Sequence, residues 1–224
     1  MNDLEKVGFS IIPDVISPRE VGRFIADLDE LHLLRSKAGI RHALRGSAVK
    51  ELANSPKLLK IAQCVLGQTA LPFRATLFDK SPQSNWLVVW HQDTALPLQE
   101  RRALPGWGPW SMKEGVIYAH APASALRKVL ALRVHLDDST TQNGPLRVLP
   151  GSHTQGVLTD SAIHQLLRRL SGMECIVPKG GVLAMRPLLV HSSSKSLGKA
   201  PRRVLHIEYS ASLNVDDGFK LATA

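Results

Sequence analysis

His91-Gln92-Asp93 is the stretch of this chain with the most chemical promise. It follows Trp86-Leu87-Val88-Val89-Trp90, an apolar run that reads as a strand. Side chains two apart in a strand share a face. His91 and Asp93 would then offer one imidazole and one carboxylate to a single metal ion, while Gln92 points away. The pair alone says little, because a chance His-x-Asp is unsurprising in a chain with nine histidines. A third ligand is available at His191, which closes the apolar run Leu188-Leu189-Val190 and precedes Ser192-Ser193-Ser194. Read by itself, a histidine ending a buried strand is a hydrogen-bonded core residue. Read with the other two, it completes two histidines and one carboxylate, the facial ligand set of non-heme iron(II) sites, which leaves three positions open. Arg202 lies eleven residues after His191. An arginine at a barrel mouth can grip a carboxylate through two parallel hydrogen bonds. Its other reading is an exposed strand-end charge.

These residues need a scaffold of strands, and the later two thirds of the chain supply the pattern. Short strands are expected at 75–80, 86–91, 116–120, 131–136, 146–149, 182–185, 188–190 and 203–209. Turn signals separate them, among them Asn143-Gly144-Pro145, Pro150-Gly151 and Gly180-Gly181. One helix, 161–170, interrupts and is closed by Gly172. Many short strands at close spacing predict a β barrel or sandwich, not alternating βαβ units. The first third reads as helical. Ser17-Pro18-Arg19-Glu20 is a capping box, and Val21, Phe24, Ile25, Leu28 and Leu31 follow at helical spacing. Ser55-Pro56 opens a second helix that Gly67 ends. These helices, within 17–66, are expected to pack outside a jelly-roll core spanning 70–212. The segment 94–115 carries three prolines and two tryptophans. It reads as a long loop, either covering a pocket or pinned to the core by Trp107 and Trp110.

Composition bounds the answer further. With 224 residues, 44% apolar and 21% charged, the chain suits a single compact domain, 1–224, and not a disordered one. The net charge of +9 would suit an anionic small-molecule substrate. The basic residues are scattered in short groups such as Arg101-Arg102 and Arg202-Arg203, which argues against a nucleic-acid groove. The two cysteines, Cys64 and Cys175, form no CxxC and read as reduced, buried thiols of a cytoplasmic protein. No run approaches the ~18 apolar residues of a membrane span, and the first residues do not read as a signal peptide.

The order and wording of the motifs resemble the phytanoyl-CoA dioxygenase family, which includes ectoine hydroxylases. The resemblance runs from about residue 8 to 209 and is dense from Trp90 onward. It rests on Trp90-His91-Gln92-Asp93, Leu136-Asp137-Asp138, the stretch from Asn143-Gly144-Pro145-Leu146 to Pro150-Gly151-Ser152-His153, Gly180-Gly181-Val182, Pro187 to His191, and Pro201-Arg202-Arg203 through Tyr209. It implies a mainly β fold with flanking α-helices, a double-stranded β-helix or jelly roll of the cupin kind. It implies iron(II) on His91, Asp93 and His191, with 2-oxoglutarate and dioxygen as cosubstrates. It puts the distal carboxylate of 2-oxoglutarate on Arg202, with Ser193 nearby and Thr76 helping to hold the cosubstrate. Arg203 would face the other way; the preceding proline and the eleven-residue interval favour Arg202. His153 belongs to the turn motif, and His135 and His206 read as structural. The implied activity is hydroxylation or a related oxidation of a small molecule, with release of succinate and CO2. The carboxylate at Asp93 argues against halogenation, since related halogenases lack it. Trp107 and Arg74 are the residues expected at the substrate. Two other functions are carried as alternatives: a non-catalytic metal-binding jelly roll, and a nucleic-acid demethylase using the same iron chemistry.

Overall fold

The structure is a computed structural model that describes residues 2–30, 35–36, 39–81 and 84–224. Among them the strands form three sheets. The largest runs, edge to edge, Phe9–Ile12, Val182–Met185, Val129–His135, Arg202–Ser210, Leu71–Lys80, Gly39–Ile40 and Arg35–Ser36, all antiparallel. The second runs Met173–Cys175, Leu146–Val148, His191–Ser193 and Val88–His91. The third joins Ala95–Leu98, Val116–His120 and Trp110–Lys113.

Strand periodicity sorts the large sheet into two faces. Leu130, Leu132 and Val134 point outward with Leu205, Ile207 and Tyr209, and with Ala75 and Leu77 from the neighbouring strand. They are sealed by Val21, Phe24, Leu28, Val49, Leu58 and Ala62 from the helices Pro18–Glu30, Ser47–Ala53 and Pro56–Leu66. Burying each leucine or isoleucine contributes roughly 1.5–3 kcal/mol. The alternate residues look inward, and most are polar: Arg133 and His135, then Arg202, His206 and Glu208, then Arg74, Thr76 and Lys80, with Ala131, Val204 and Phe78 between them. One sheet thus holds the helices with one face and chemistry with the other.

The capping box forms as expected. Glu20 accepts from the Ser17 backbone N–H at 2.8 Å, and the Glu20 N–H donates to Ser17 Oγ at 3.3 Å. Leu31, counted in the amphipathic pattern, lies outside the described residues. The second helix starts at Pro56 and ends at Gly67. The helix expected at 161–170 covers Asp160–Leu167, capped by Thr159, whose hydroxyl accepts from the Ala162 N–H.

Three expectations are corrected. The run 188–190 is not a strand. Pro187 and its neighbours form a turn closed by Leu189 N–H to Arg186 O, and the Val190 N–H donates to Ser152 Oγ. Leu188, Leu189 and Val190 enter three different apolar clusters, so the run is buried without being extended. The strand begins at His191 instead. The segment 94–115 is not one long loop, since it contributes Ala95–Leu98 and Trp110–Lys113 to the third sheet. Pro97 is tolerated because its strand is an edge of that sheet. Cys64 is exposed, on the outer face of its helix, while Cys175 is buried; both are free.

The chain after residue 212 also belongs to the core. Val215, Phe219 and Leu221 are buried with Leu96, Leu98 and Trp107. Backbone bonds from Gln99 to Lys220 and from Ala222 to Pro97 sew this tail to the third sheet.

Candidate active site

His91 and His191 lie directly opposite each other on paired antiparallel strands. Their ring centroids are 4.3 Å apart. Each ring is oriented by its own backbone. His91 Nδ1 meets Val89 O at 2.8 Å, and His191 Nδ1 meets Leu189 O at 2.8 Å. A carbonyl partner requires Nδ1 to carry the proton, which leaves the Nε2 lone pair of each ring free to bind a metal.

Asp93 completes the cluster. Its carboxylate oxygens lie 3.6 Å from His91 Nε2 and 3.6 Å from His191 Nε2. One potential ligand atom from each of the three residues falls within 4.8 Å of the others. The turn carrying Asp93 is fixed by the residue between the ligands. Gln92 lies just past the end of its strand and points away, donating to Gly156 O and Leu188 O while accepting from the Leu158 N–H. The Asp93 N–H is bound by Pro187 O at 3.0 Å, which ties the two ligand-bearing segments together.

Burial pushes His191 down to about 4, against the pull of Asp93, so at neutral pH it is a neutral imidazole. Burial would raise the Asp93 carboxyl, but His191 and the contact with His91 overcome it and hold Asp93 well below the usual range. Asp93 in turn raises His91, against burial. The donor set is a carboxylate and two imidazoles, His191 neutral and His91 with a proton that a divalent cation would displace, the nitrogen and oxygen chemistry that suits an iron(II) ion.

A cavity of about 120 Å³ adjoins the cluster. Phe78, Lys80, Arg133, Leu146, Ser193 and Arg202 line it together with His91, Asp93 and His191. Arg202 faces inward, donating from Nε to Asn143 O at 3.1 Å and from Nη2 to Ser193 Oγ at 3.2 Å. Its Nη1 is buried with no hydrogen-bond partner among the described residues. Arg203, the alternative, turns outward and makes a bidentate pair with Asp137 at 2.8 Å. Of these two neighbours, Arg202 is thus the one that reaches the cavity. Thr76 sits on the inner face opposite His206.

Arg74 lies further along the same face. Its Nε is 2.7 Å from Glu208 Oε2, its Nη1 donates to Ala95 O, and its guanidinium lies 5.7 Å from the centre of the Tyr118 ring. Trp107, expected at the substrate, is held elsewhere. Its ring is 4.4 Å from that of Phe219, and its N–H donates to Asp217 at 2.8 Å. It does not line the cavity at the cluster, and the pinned-to-core reading is the one realised. His153 lies near Glu5 O, away from the cluster. His135 and His206 are buried, and His206 meets Arg133 at 3.0 Å.

Sequence reasoning missed Lys80 and Arg133. Lys80 looks like a strand-end charge and Arg133 like an exposed position in an apolar strand. The available signal was the period of two, which puts Lys80 on the face of Thr76 and Arg133 on the face of His135.

Comparison with known proteins agrees with this geometry. The phytanoyl-CoA dioxygenase (PhyH) sequence profile matches residues 4–204. An L-proline trans-4-hydroxylase of Streptomyces griseoviridis is 26% identical over 189 residues, covering 73% of this chain and 63% of the relative. An ectoine dioxygenase of Nocardia farcinica is 25% identical over 170 residues, covering 68% of this chain and 50% of the relative. The chain therefore spans about half to less than two thirds of the length of these curated relatives. In fold it is similar to EctD of S. alaskensis, solved with 2-oxoglutarate and 5-hydroxyectoine, with a TM-score of 0.71 and 22% identity over 93% of this chain and 74% of that one. The jelly roll, the ligand cluster on its inner face and the profile match along nearly the whole chain lead to one assignment: the chain belongs to the phytanoyl-CoA dioxygenase family.

Proposed function

We infer that residues 1–224 form one catalytic domain, an iron(II)- and 2-oxoglutarate-dependent dioxygenase that hydroxylates a small molecule. The overall reaction balances as R–H + O2 + 2-oxoglutarate → R–OH + succinate + CO2. The observation that carries this reading is the convergence of His91, Asp93 and His191, with donor atoms within 4.8 Å, beside a cavity into which Arg202 projects. The names of the two curated relatives, a proline hydroxylase and an ectoine dioxygenase, point the same way.

His91, Asp93 and His191 would hold the iron. Bound there, iron(II) would activate dioxygen, which is the oxidant for both the keto acid and the C–H bond. Three protein ligands leave three positions for these small molecules. The chain's own work is positioning. Carbonyl bonds at Nδ1 fix the two rings, and Gln92 fixes the turn. Arg202 would pair with the distal carboxylate of 2-oxoglutarate, since a buried guanidinium with an unused N–H favours an anion. Ser193 flanks that path, while Thr76, on the same inner face opposite His206, does not line the cavity. Substrate would enter beside Arg74 and Lys113, both close enough to Asp93 for its charge to act on them. Arg74 is already paired with Glu208, so it is Lys113 and the net charge of +9 that favour an anionic substrate.

No helix among the described residues is long and apolar enough to cross a membrane. Two free cysteines fit the reducing cytoplasm as the place of action.

The test is anaerobic loading with iron(II) and 2-oxoglutarate, followed by oxygen and measurement of succinate. Succinate formed by the wild type and absent from His191→Ala is the expected result. A protein that takes iron but does not bind 2-oxoglutarate would instead be a metal-binding jelly roll.

A further inference from the structure

We propose that Lys113 is a specificity residue that binds an anionic arm of the substrate, a carboxylate or a phosphate, and that Glu114 is the positioning residue that fixes it beside the metal cluster; this rests on the function inferred above. The strands Trp110–Lys113 and Val116–His120 form a hairpin closed by Glu114 and Gly115. Both turn residues have positive φ, 49° and 79°, as the tightest hairpin turns require. Gly115 adopts this freely, whereas a glutamate is strained by it. Asparagine is the residue such a turn favours.

The strained glutamate faces a second strained residue. His42 also has a positive φ, 55°. Glu114 accepts from Arg41 Nη1 at 3.0 Å, and its other carboxylate oxygen lies 3.6 Å from His42 Nδ1. His42 is buried, stacks on the Tyr118 ring and meets the Tyr118 hydroxyl at 2.9 Å. The segment carrying Arg41 and His42 follows Gly39–Ile40, which pairs with Leu71–Lys80 of the large sheet. Glu114 thus staples the tip of the hairpin to the barrel. Strain of this kind persists where the surroundings hold it, and it clusters at functional sites.

What the staple holds in place is an uncompensated cation. Lys113 Nζ lies 4.9 Å from the centre of the Tyr118 ring, and the Arg74 guanidinium lies 5.7 Å from the same centre. The other cations here have their counter-charges. Arg74 pairs with Glu208 at 2.7 Å, and Arg41 pairs with Glu114. Lys113 is half-buried and makes neither an ion pair nor a hydrogen bond among the described residues. The charge of Asp93 reaches it, but Asp93 belongs to the metal cluster. Burial, then Arg74 and Arg41, lower the ammonium from its ordinary value. A cation partly removed from water without a partner is unfavourable, and one negative charge from a ligand would relieve it. An ammonium is a point charge with three donors, so a carboxylate and a phosphate both suit it. A substrate tethered there by one end would present its C–H bond at a fixed reach from the metal.

The test begins with the wild type loaded with iron(II) and 2-oxoglutarate. Oxygen-dependent succinate formation is measured with a broad panel of small carboxylic acids, each beside its neutral amide, and of phosphate monoesters, each beside its parent alcohol. Acids of one class should raise turnover and their neutral counterparts should not; the class that acts separates a carboxylate arm from a phosphate arm. For those acids Lys113→Met should raise KM by about tenfold or more, the loss of one charge-assisted contact, with kcat far less changed. Lys113→Arg should recover most of the loss. Glu114→Asn places the favoured residue in the turn, so it should melt close to wild type and yet raise KM for the same acids by a smaller factor. Affinity for 2-oxoglutarate, read anaerobically from the charge-transfer absorbance of its iron complex, should move in neither Lys113→Met nor Glu114→Asn. An unchanged KM in Lys113→Met, neutral compounds that act as well as the acids, or a panel in which no acid acts would overturn the role of Lys113. An unchanged KM in Glu114→Asn would overturn the staple. Each of these leaves the dioxygenase reading standing in a protein that binds 2-oxoglutarate. A wild type that does not bind it would overturn that reading itself.

Discussion

At the scale of single residues, the site separates ligands from the groups that aim them. Asp93→Ala and His191→Ala should abolish iron-dependent succinate formation while leaving the melting temperature within a few degrees of wild type, because the apolar clusters lie elsewhere. Arg202→Ala should leave iron binding intact and weaken 2-oxoglutarate by about ten- to a hundredfold, the value of a buried charge-assisted hydrogen bond, as read by anaerobic titration. The convergence of His91, Asp93 and His191 was legible from residue types and the order of the motifs, although Asp93 lies just past its strand and a turn precedes His191. Lys80 and Arg133 were passed over as surface charges, although the period of two sets them on the inner face with Thr76 and His135.

At the scale of elements, legibility followed local chemistry. The capping box at Ser17 and the helix from Pro56 are written in neighbouring residues and appear as expected. Ser17→Ala should cost about 1 kcal/mol in a denaturant melt. Glu20, held down to about 2 by Lys57 and then Ser17, contributes stability above its ordinary value of 4.5 that is lost as pH falls toward 2; solvent screening keeps the effect small. Strands with alternating faces were also readable. The run 188–190 was not, because apolar residues distributed to three clusters look like one buried strand. The third sheet was hidden by prolines that argue against pairing except at an edge. Leu132, next to inward-facing Arg133, points to the helices. Leu132→Ala should destabilise by about 2–5 kcal/mol without changing affinity for 2-oxoglutarate in the fraction that stays folded.

At the scale of the whole molecule, stability and chemistry occupy opposite faces of the same strands, and a late tail closes the barrel's flank. Phe219 takes Trp107 on one side and Trp110 on another. Nothing local in 213–224 announces this, since the two tryptophans that Phe219 meets lie over a hundred positions earlier in the chain. Phe219→Ala should cost about 3–5 kcal/mol and raise amide exchange first in the third sheet. The pairing of His91 with His191 carries a consequence of another kind. The side-chain period is two, so a slip of one position between these short strands would turn one imidazole to the wrong side. Metal content, measured on purified protein, would then count the molecules whose hydrogen-bond rungs are correctly aligned and serve as an assay of folding quality before any substrate is known.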